Sequence, residues 1–127
     1  MNSDKLCRVL LVDDEEGIRH LLKALLSSLG AKVIAEAANG EEAILAYHKH
    51  KPDITFLDIQ MPIKNGIDTL KEILADDPNA VVVMLTATSD MDVADSCIEL
   101  GAQKYVRKGA TPEVLNIMLK DGLDLIP

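Results

Sequence analysis

Aromatic residues are almost missing from this chain, which has no Trp, one Phe and two Tyr among its 127 residues. Apolar residues still make up 48% of it, so the core must be built from aliphatic side chains. Layers of Val, Leu, Ile and Ala are typical of a parallel sheet that helices cover. The length suits one domain. We therefore expect a single α/β domain over residues 1–127, with its core between about residues 8 and 123.

Basic residues are also few, with 13 Lys and Arg against 21 Asp and Glu, which gives a net charge of -8. This charge repels a phosphate backbone, so we expect no direct binding of nucleic acid. Cys7 and Cys97 lack the spacing of a zinc site or a redox motif, and we interpret them as reduced thiols that fill apolar space. Neither a membrane-spanning apolar run nor a signal peptide is found, which predicts a cytoplasmic protein without membrane contacts.

Short apolar runs alternate along the chain with amphipathic segments. The runs predict five strands, at residues 8–12, 32–37, 54–57, 80–85 and 104–107. Each is followed by a segment with apolar residues at three- and four-residue spacing, which predicts five helices. In the fourth helix we expect Ala94, Cys97 and Ile98 to face inward. The alternation indicates right-handed βαβ units, and therefore a parallel sheet with helices on both faces.

Charged and hydroxyl residues stand at the ends of the predicted strands, where ligands bind in open α/β sheets. They are Asp13, Asp14, Asp58, Thr86 and Lys108. Converging carboxylates repel one another unless a cation lies among them, and ligation by oxygen alone favours Mg2+ or Mn2+. We expect Asp14, Asp58 and the backbone carbonyl of Gln60 to bind the ion directly. Asp13 would then act through a water molecule.

With the ion bound, Asp58 keeps one oxygen free to attack phosphorus and form an aspartyl phosphate. Lys108 and Thr86 would neutralise and bind the oxygens of the transferred group. Each residue alone has a simpler interpretation: Asp14 as the cap of the first helix, Thr86 as a strand-end hydroxyl, and Lys108 as a surface charge. Their joint placement favours a phosphoacceptor site.

Four motifs, in this order, resemble those of the receiver domain of two-component response regulators. They lie at residues 11–15, at residues 57–62 with Gly66 following, at residues 85–87 and at residues 105–108. The resemblance implies a flavodoxin-like (βα)5 sandwich whose five parallel strands have the order 2-1-3-4-5. It also implies a switch that a sensor histidine kinase or phosphotransfer protein phosphorylates at Asp58, and that catalyses only its own phosphorylation and dephosphorylation.

The resemblance also assigns roles to individual residues. It implies a Mg2+ site formed by Asp13, Asp14, Asp58 and the Gln60 carbonyl. Thr86 and Tyr105 stand at the positions of the two switch residues; the alternative for Tyr105 is a plain packing residue. Gln60 and Thr88 stand at the positions that tune hydrolysis of the acyl phosphate.

One position departs from the family pattern, because Lys108 precedes Gly109 where the family usually has a proline with a cis bond. A cis bond before a non-proline residue costs roughly 3 kcal/mol, so we expect a trans or remodelled turn with unusual dihedral angles at the glycine. The placement of the Lys108 amine depends on this turn. An alternative function is therefore a receiver that acts as an interaction module without phosphorylation.

Two segments suggest contacts with other proteins. An acidic strip lies on the fourth helix and is formed by Asp90, Asp92, Asp95 and Glu99. It is either a docking surface for a basic partner or a solvated face in which Ser89 and Asp92 form a capping box. The last helix is more apolar than one buried stripe requires, which suggests a partner helix, a phosphorylation-linked dimer or a missing output domain. The residues in excess are Leu119, Leu123, Leu125 and Ile126. The downstream target is not readable from the sequence.

Two other classes of protein share parts of this pattern. A flavodoxin needs hydroxyls and backbone N–H groups after its first strand, whereas four acids, residues 13–16, stand there. A haloacid-dehalogenase-like phosphatase has a DxD nucleophile after its first strand and a cap domain, and neither is found here. Both classes are therefore disfavoured.

Overall fold

The computed structural model describes residues 6–127. Strands and helices alternate throughout this range, as the hydrophobic pattern predicts. In chain order the elements are β1 (Cys7–Val12), α1 (Glu16–Ser28), β2 (Ala31–Ala37), α2 (Gly40–His50), β3 (Ile54–Asp58), α3 (Gly66–Asp76), β4 (Val82–Thr86), α4 (Met91–Leu100), β5 (Lys104–Arg107) and α5 (Pro112–Leu123). A turn of 3-10 helix, Thr88–Asp90, precedes α4. Every predicted strand is found within two residues of its expected bounds.

The sheet has the strand order β2-β1-β3-β4-β5, and all neighbouring strands are parallel. This confirms the predicted flavodoxin-like order. The apolar residues of β1, β3 and β4 are buried on both faces of the sheet, which explains why their sequences are continuous apolar runs and do not alternate. The polar residues that end these strands therefore gather at one edge.

Helices cover both faces of the sheet. On one face, α2, α3 and α4 pack over Leu10, Leu57 and Met84. On the other, α1 and α5 pack over Leu11 and Phe56. Within residues 6–127, no helix is both long and apolar enough to cross a membrane.

Two expectations about α4 are wrong. Ile98 is 37% exposed, whereas Ala94 and Cys97 are buried, so the buried face of α4 is narrower than its apolar pattern suggests. Ser89 does not cap α4, whose N-cap residue is Asp90 and whose N-terminus has no side-chain capping hydrogen bond. At the end of α5, Leu119 is buried, whereas Leu123, Leu125 and Ile126 pack against the core with part of each residue still exposed.

Candidate active site

The carboxyl edge of the sheet brings five of the predicted residues together. Asp58 is the last residue of β3 and Thr86 the last of β4, while Asp13 and Lys108 follow β1 and β5 directly. The strand register places the ends side by side, since Asp58 pairs with Leu85. Carboxylate oxygens of Asp13, Asp14 and Asp58 all lie within 4.8 Å of one another.

Asp13 is completely buried and its side chain is hydrogen-bonded on both oxygens. Oδ1 accepts the Glu15 N–H at 2.9 Å, and Oδ2 accepts from Lys108 Nζ at 2.9 Å. Asp14, by contrast, is exposed. It does not cap α1, whose N-cap residue is Glu15 and whose first turn makes no side-chain capping hydrogen bond. The simpler interpretation of Asp14 as a helix cap is therefore wrong.

Asp58 is only 2% exposed, yet one of its oxygens has no hydrogen-bond partner within the described residues. Oδ1 lies 3.2 Å from Lys108 Nζ, whereas Oδ2 is the unpaired oxygen. Burial and then the charge of Asp13 raise the pKa of Asp58 to about 7, although Lys108 acts in the opposite direction. A buried anionic oxygen without a partner is unfavourable. This corner of the site therefore suits a proton or a cation, and three carboxylates suit a hard divalent ion such as Mg2+.

Lys108 is the cation that links these acids, with its side chain only 11% exposed. Its amine also lies 3.3 Å from Glu15 Oε1. Burial lowers the pKa of Lys108, but its hydrogen bonds to Asp13 and Asp58 and the charges of both acids outweigh burial and raise the pKa above its ordinary value. The amine is therefore charged at neutral pH.

The turn after Lys108 differs from expectation in one respect. The described residues contain no cis peptide bond, so the bond before Gly109 is trans, as predicted. Gly109 is not among the residues with positive φ, however, and a Cβ there would meet no atom within 4 Å, so the expectation of unusual dihedral angles is wrong. The Lys108 N–H donates to the Thr86 carbonyl at 2.9 Å. This bond extends the pairing of β4 and β5 and places the amine without a proline.

A glycine is required on the other side of Asp58. After Pro62, the chain turns sharply at Ile63, whose φ is +69°, and the Gly66 N–H then donates to the Ile59 carbonyl at 2.8 Å. A Cβ at Gly66 would overlap the main chain of Asp58 and Ile59. Gly66 therefore allows α3 to start directly against the end of β3.

The β4 side of the site holds the predicted switch residues. Thr86 is buried, and its Oγ1 donates to the carbonyl of Ala87 at 3.0 Å, so its hydrogen bond stays within its own loop. Tyr105 is half-buried and packs against the core cluster beneath α4. The side chain of Thr88 lies outside the described part of the chain.

The site opens to solvent through a cleft of about 330 Å³. Its walls are formed by Asp14, Glu15, Asp58, Gln60, Ala87, Ser89, Asp90 and Lys108. Gln60 Nε2 donates to Asp90 Oδ1 at 3.2 Å and so bridges the two loops at its mouth. Sequence reasoning did not assign Glu15 or Asp90 to this cleft. Only the run of acids after β1 pointed to Glu15.

Comparisons with known proteins agree with this geometry. The sequence profile of the response regulator receiver domain matches residues 9–120. Chemotaxis protein CheY of Thermotoga maritima is 40% identical over 117 residues, which span 89% of this chain and 98% of that protein. A chain of the CheX-CheY-BeF3-Mg2+ complex from Borrelia burgdorferi superposes with a TM-score of 0.83 at 31% identity, over 94% of this chain and 90% of that one. The protein therefore belongs to the response regulator receiver domain family of two-component signalling.

Proposed function

We propose that this receiver domain is a phosphorylation-dependent switch, in which Asp58 accepts a phosphoryl group from the phosphohistidine of a sensor histidine kinase or phosphotransfer protein. The observation that carries this proposal is the Oδ2 atom of Asp58, which is buried, lacks a hydrogen-bond partner among the described residues and lies beside two further carboxylates. Most buried side-chain oxygens in purely structural roles are hydrogen-bonded, so this unpaired oxygen supports a functional role.

In the proposed step, an Asp58 oxygen attacks phosphorus, the P–O bond forms as the P–N bond breaks, and the leaving imidazole takes up a proton. Lys108 already contacts Asp58, so its ammonium group lies where charge on the phosphoryl oxygens must be neutralised. Ala87 borders the cleft and, with its small side chain, leaves room for the donor. The domain thus supplies orientation and charge compensation, and catalyses only its own modification.

Four groups would hold Mg2+ or Mn2+: the carboxylates of Asp13, Asp14 and Asp58, and the backbone carbonyl of Gln60. When bound, such an ion supplies positive charge that offsets the acids and the incoming phosphoryl group. The closeness of the three carboxylates supports this assignment. Asp13 is the most constrained of the three, because Glu15 and Lys108 already occupy its oxygens.

The proposed output is a change of the surface around α4 and β5. The Thr86 hydroxyl can exchange its neutral bond to the Ala87 carbonyl for a stronger, charge-assisted bond to a phosphoryl oxygen. Movement of Thr86 would vacate space that the Tyr105 ring can fill, which biases a packing with two arrangements. The alternative of a phosphorylation-independent module rested on a misplaced Lys108, and the contacts of its amine remove that reason.

Intact-mass spectrometry tests the proposal. The purified protein is incubated with acetyl phosphate and Mg2+, and we expect a gain of one phosphoryl group that EDTA prevents. Asp58→Asn should abolish the gain, whereas Asp95→Asn, an exposed acid on α4, should leave it unchanged. If no mass is gained with acetyl phosphate, phosphoramidate or a phosphorylated histidine donor, the proposal is wrong.

A further inference from the structure

Arg19 connects three elements near the acidic edge of the sheet. It lies in α1, and its Nη1 donates to the main-chain carbonyl of Asp13 at 2.7 Å. Its Nε donates to Glu36 Oε1 on β2 at 3.2 Å. The side chain is only 18% exposed. One planar guanidinium therefore ties the residue after β1 to both α1 and β2, a geometry that its fixed fork of donors permits.

The carbonyl that Arg19 holds belongs to the peptide between Asp13 and Asp14. The Asp13 N–H donates to the Ala37 carbonyl at 3.0 Å, and its carboxylate is held by Glu15 and Lys108. Arg19 supplies the remaining contact, so every polar group of Asp13 has a partner. Because a peptide unit is planar, a fixed carbonyl also fixes the direction in which the chain continues to Asp14.

Asp14 depends on this constraint more than Asp13 does. Its side chain is exposed, and no hydrogen bond within residues 6–127 involves its carboxylate. The position of that carboxylate beside Asp13 and Asp58 is therefore set by the backbone that leads to it.

We infer that Arg19 is a positioning residue for the metal site: it holds the peptide that joins Asp13 to Asp14 in the orientation that brings the Asp14 carboxylate to the ion. The inference rests on the proposed function, because it concerns the ion that would lie beside Asp58. It adds a residue that touches neither the ion nor the phosphoryl group. Outer contacts of this kind commonly govern metal affinity.

Electrostatics alone predicts the opposite effect of removing Arg19. Its positive charge opposes cation binding, and its loss would leave Glu36 with less compensation and the site more negative. If Arg19 acted only through its charge, Arg19→Ala would bind Mg2+ more tightly. If it positions the peptide, the same variant binds Mg2+ more weakly. The sign of the change therefore separates the two roles.

Lys23 offers a matched control. Its Nζ lies 3.2 Å from Glu36 Oε2, on the other oxygen of the same carboxylate, and its side chain is 53% exposed. Among the described contacts, none joins Lys23 to Asp13 or Asp14. Lys23→Ala thus removes one positive charge near Glu36 without releasing the Asp13 carbonyl.

The experiment is calorimetric titration of the metal-free domain with MgCl2. We expect Arg19→Ala to weaken Mg2+ binding by about tenfold, the lower end for loss of an outer contact. Arg19→Lys should weaken it as well, because a flexible ammonium lacks the fixed fork of donors that holds the carbonyl and Glu36 in one geometry. Lys23→Ala should bind as the wild type does or slightly more tightly. Wild-type or tighter binding by Arg19→Ala would overturn the inference, as would equal losses in Arg19→Ala and Lys23→Ala.

A second variant guards against misfolding. Glu36→Gln keeps the Arg19 contact with the Asp13 carbonyl and removes the ion pair, so its Mg2+ affinity should stay closer to wild type than that of Arg19→Ala. A loss of Mg2+ affinity as large as that of Arg19→Ala would overturn the inference.

Failure of the proposed function is a separate result: a wild type that binds Mg2+ but gains no phosphoryl mass. A wild type that binds no Mg2+ overturns the positioning role itself.

Discussion

The two sides of the cleft around Asp58 are held in different ways. On the β1 side, Asp13 is completely buried and hydrogen-bonded through both its main chain and its carboxylate. On the β4 side, Thr86 makes one side-chain hydrogen bond, to the carbonyl of the next residue, and α4 begins without a side-chain cap. A metal site requires fixed ligands, whereas a switch requires an element with two accessible arrangements. The β1 side thus has the fixed contacts that the proposed metal site requires, and the β4 side has the fewer contacts that suit the proposed switch.

The largest effect on stability should come from removing Lys108, the cation that joins Asp13 on the β1 side of the cleft to Asp58. Lys108→Ala leaves Asp13 and Asp58 buried without their counter-ion, and we expect it to lower the free energy of unfolding by about 3 kcal/mol at pH 8 without metal. Urea unfolding measures the change. Mg2+ should restore part of the loss because it replaces the missing charge.

Lys120→Ala is the control for this prediction, since Lys120 pairs with Asp124 at the surface. Exposed pairs of this kind contribute about 0.5 kcal/mol. If Lys108→Ala and Lys120→Ala lowered the free energy of unfolding equally, the buried acids would not need Lys108. The contrast between a firmly held β1 side and a loosely held β4 side would then not hold.

Two glycines that flank the site should respond to alanine in opposite ways. Gly66→Ala places a Cβ against the main chain of Asp58 and should destabilise the fold by about 2 kcal/mol through overpacking. Gly109→Ala meets no atom and has no positive φ to lose, so it should be neutral or stabilising by about 0.5 kcal/mol. Thermal unfolding of the two variants tests this. A clear loss of stability in Gly109→Ala would indicate that the turn after Lys108 does need glycine.

Asp58 itself should reduce stability when no cation is bound. Its pKa is raised from 3.8 to about 7, so between these values the folded state binds the proton that the unfolded state has released. The free energy of unfolding therefore falls as pH rises through this window, and the penalty is complete above pH 7. Asp58→Asn should flatten this dependence and exceed the wild type by about 1 to 2 kcal/mol at pH 8, less than the full pKa shift implies because the variant also loses the ion pair with Lys108.

Urea titrations from pH 5 to pH 8 in EDTA measure this difference. Mg2+ should raise the stability of the wild type more than that of Asp58→Asn, because only the wild type keeps all three carboxylates. A wild type whose stability rises between pH 5 and pH 7 relative to Asp58→Asn would show that Asp58 is stabilised as the anion even without metal.

The sequence was sufficient to predict the fold and to place three acids together at one edge of the sheet, for a physical reason. Strands buried on both faces are uniform apolar runs, so a polar residue that ends one, such as Asp58, stands out. The outcome at Gly109 shows the limit, since a glycine permits unusual dihedral angles but its presence does not show that the turn uses them. The contact of Arg19 with Glu36 was beyond sequence reasoning, because it joins residues 17 positions apart through the packing of α1 against β2.

A substitution on the switch side should have only a small effect on stability and none on metal binding. Thr86→Val keeps the shape of the side chain and removes only its bond to the Ala87 carbonyl, so the free energy of unfolding should change by about 1 kcal/mol or less. Mg2+ affinity should be unchanged, because Asp13 and Asp14 keep all their contacts.

Phosphorylation of Thr86→Val by acetyl phosphate should still occur. The accompanying change in hydrogen exchange of α4 and β5 should be lost, since no hydroxyl remains to bind the phosphoryl oxygen. Thr86→Ser, which retains the hydroxyl, should preserve the response. If Thr86→Val weakened Mg2+ binding as much as Arg19→Ala is expected to, the β4 side of the cleft and the metal ligands on the β1 side would be coupled, and the contrast between them would not hold.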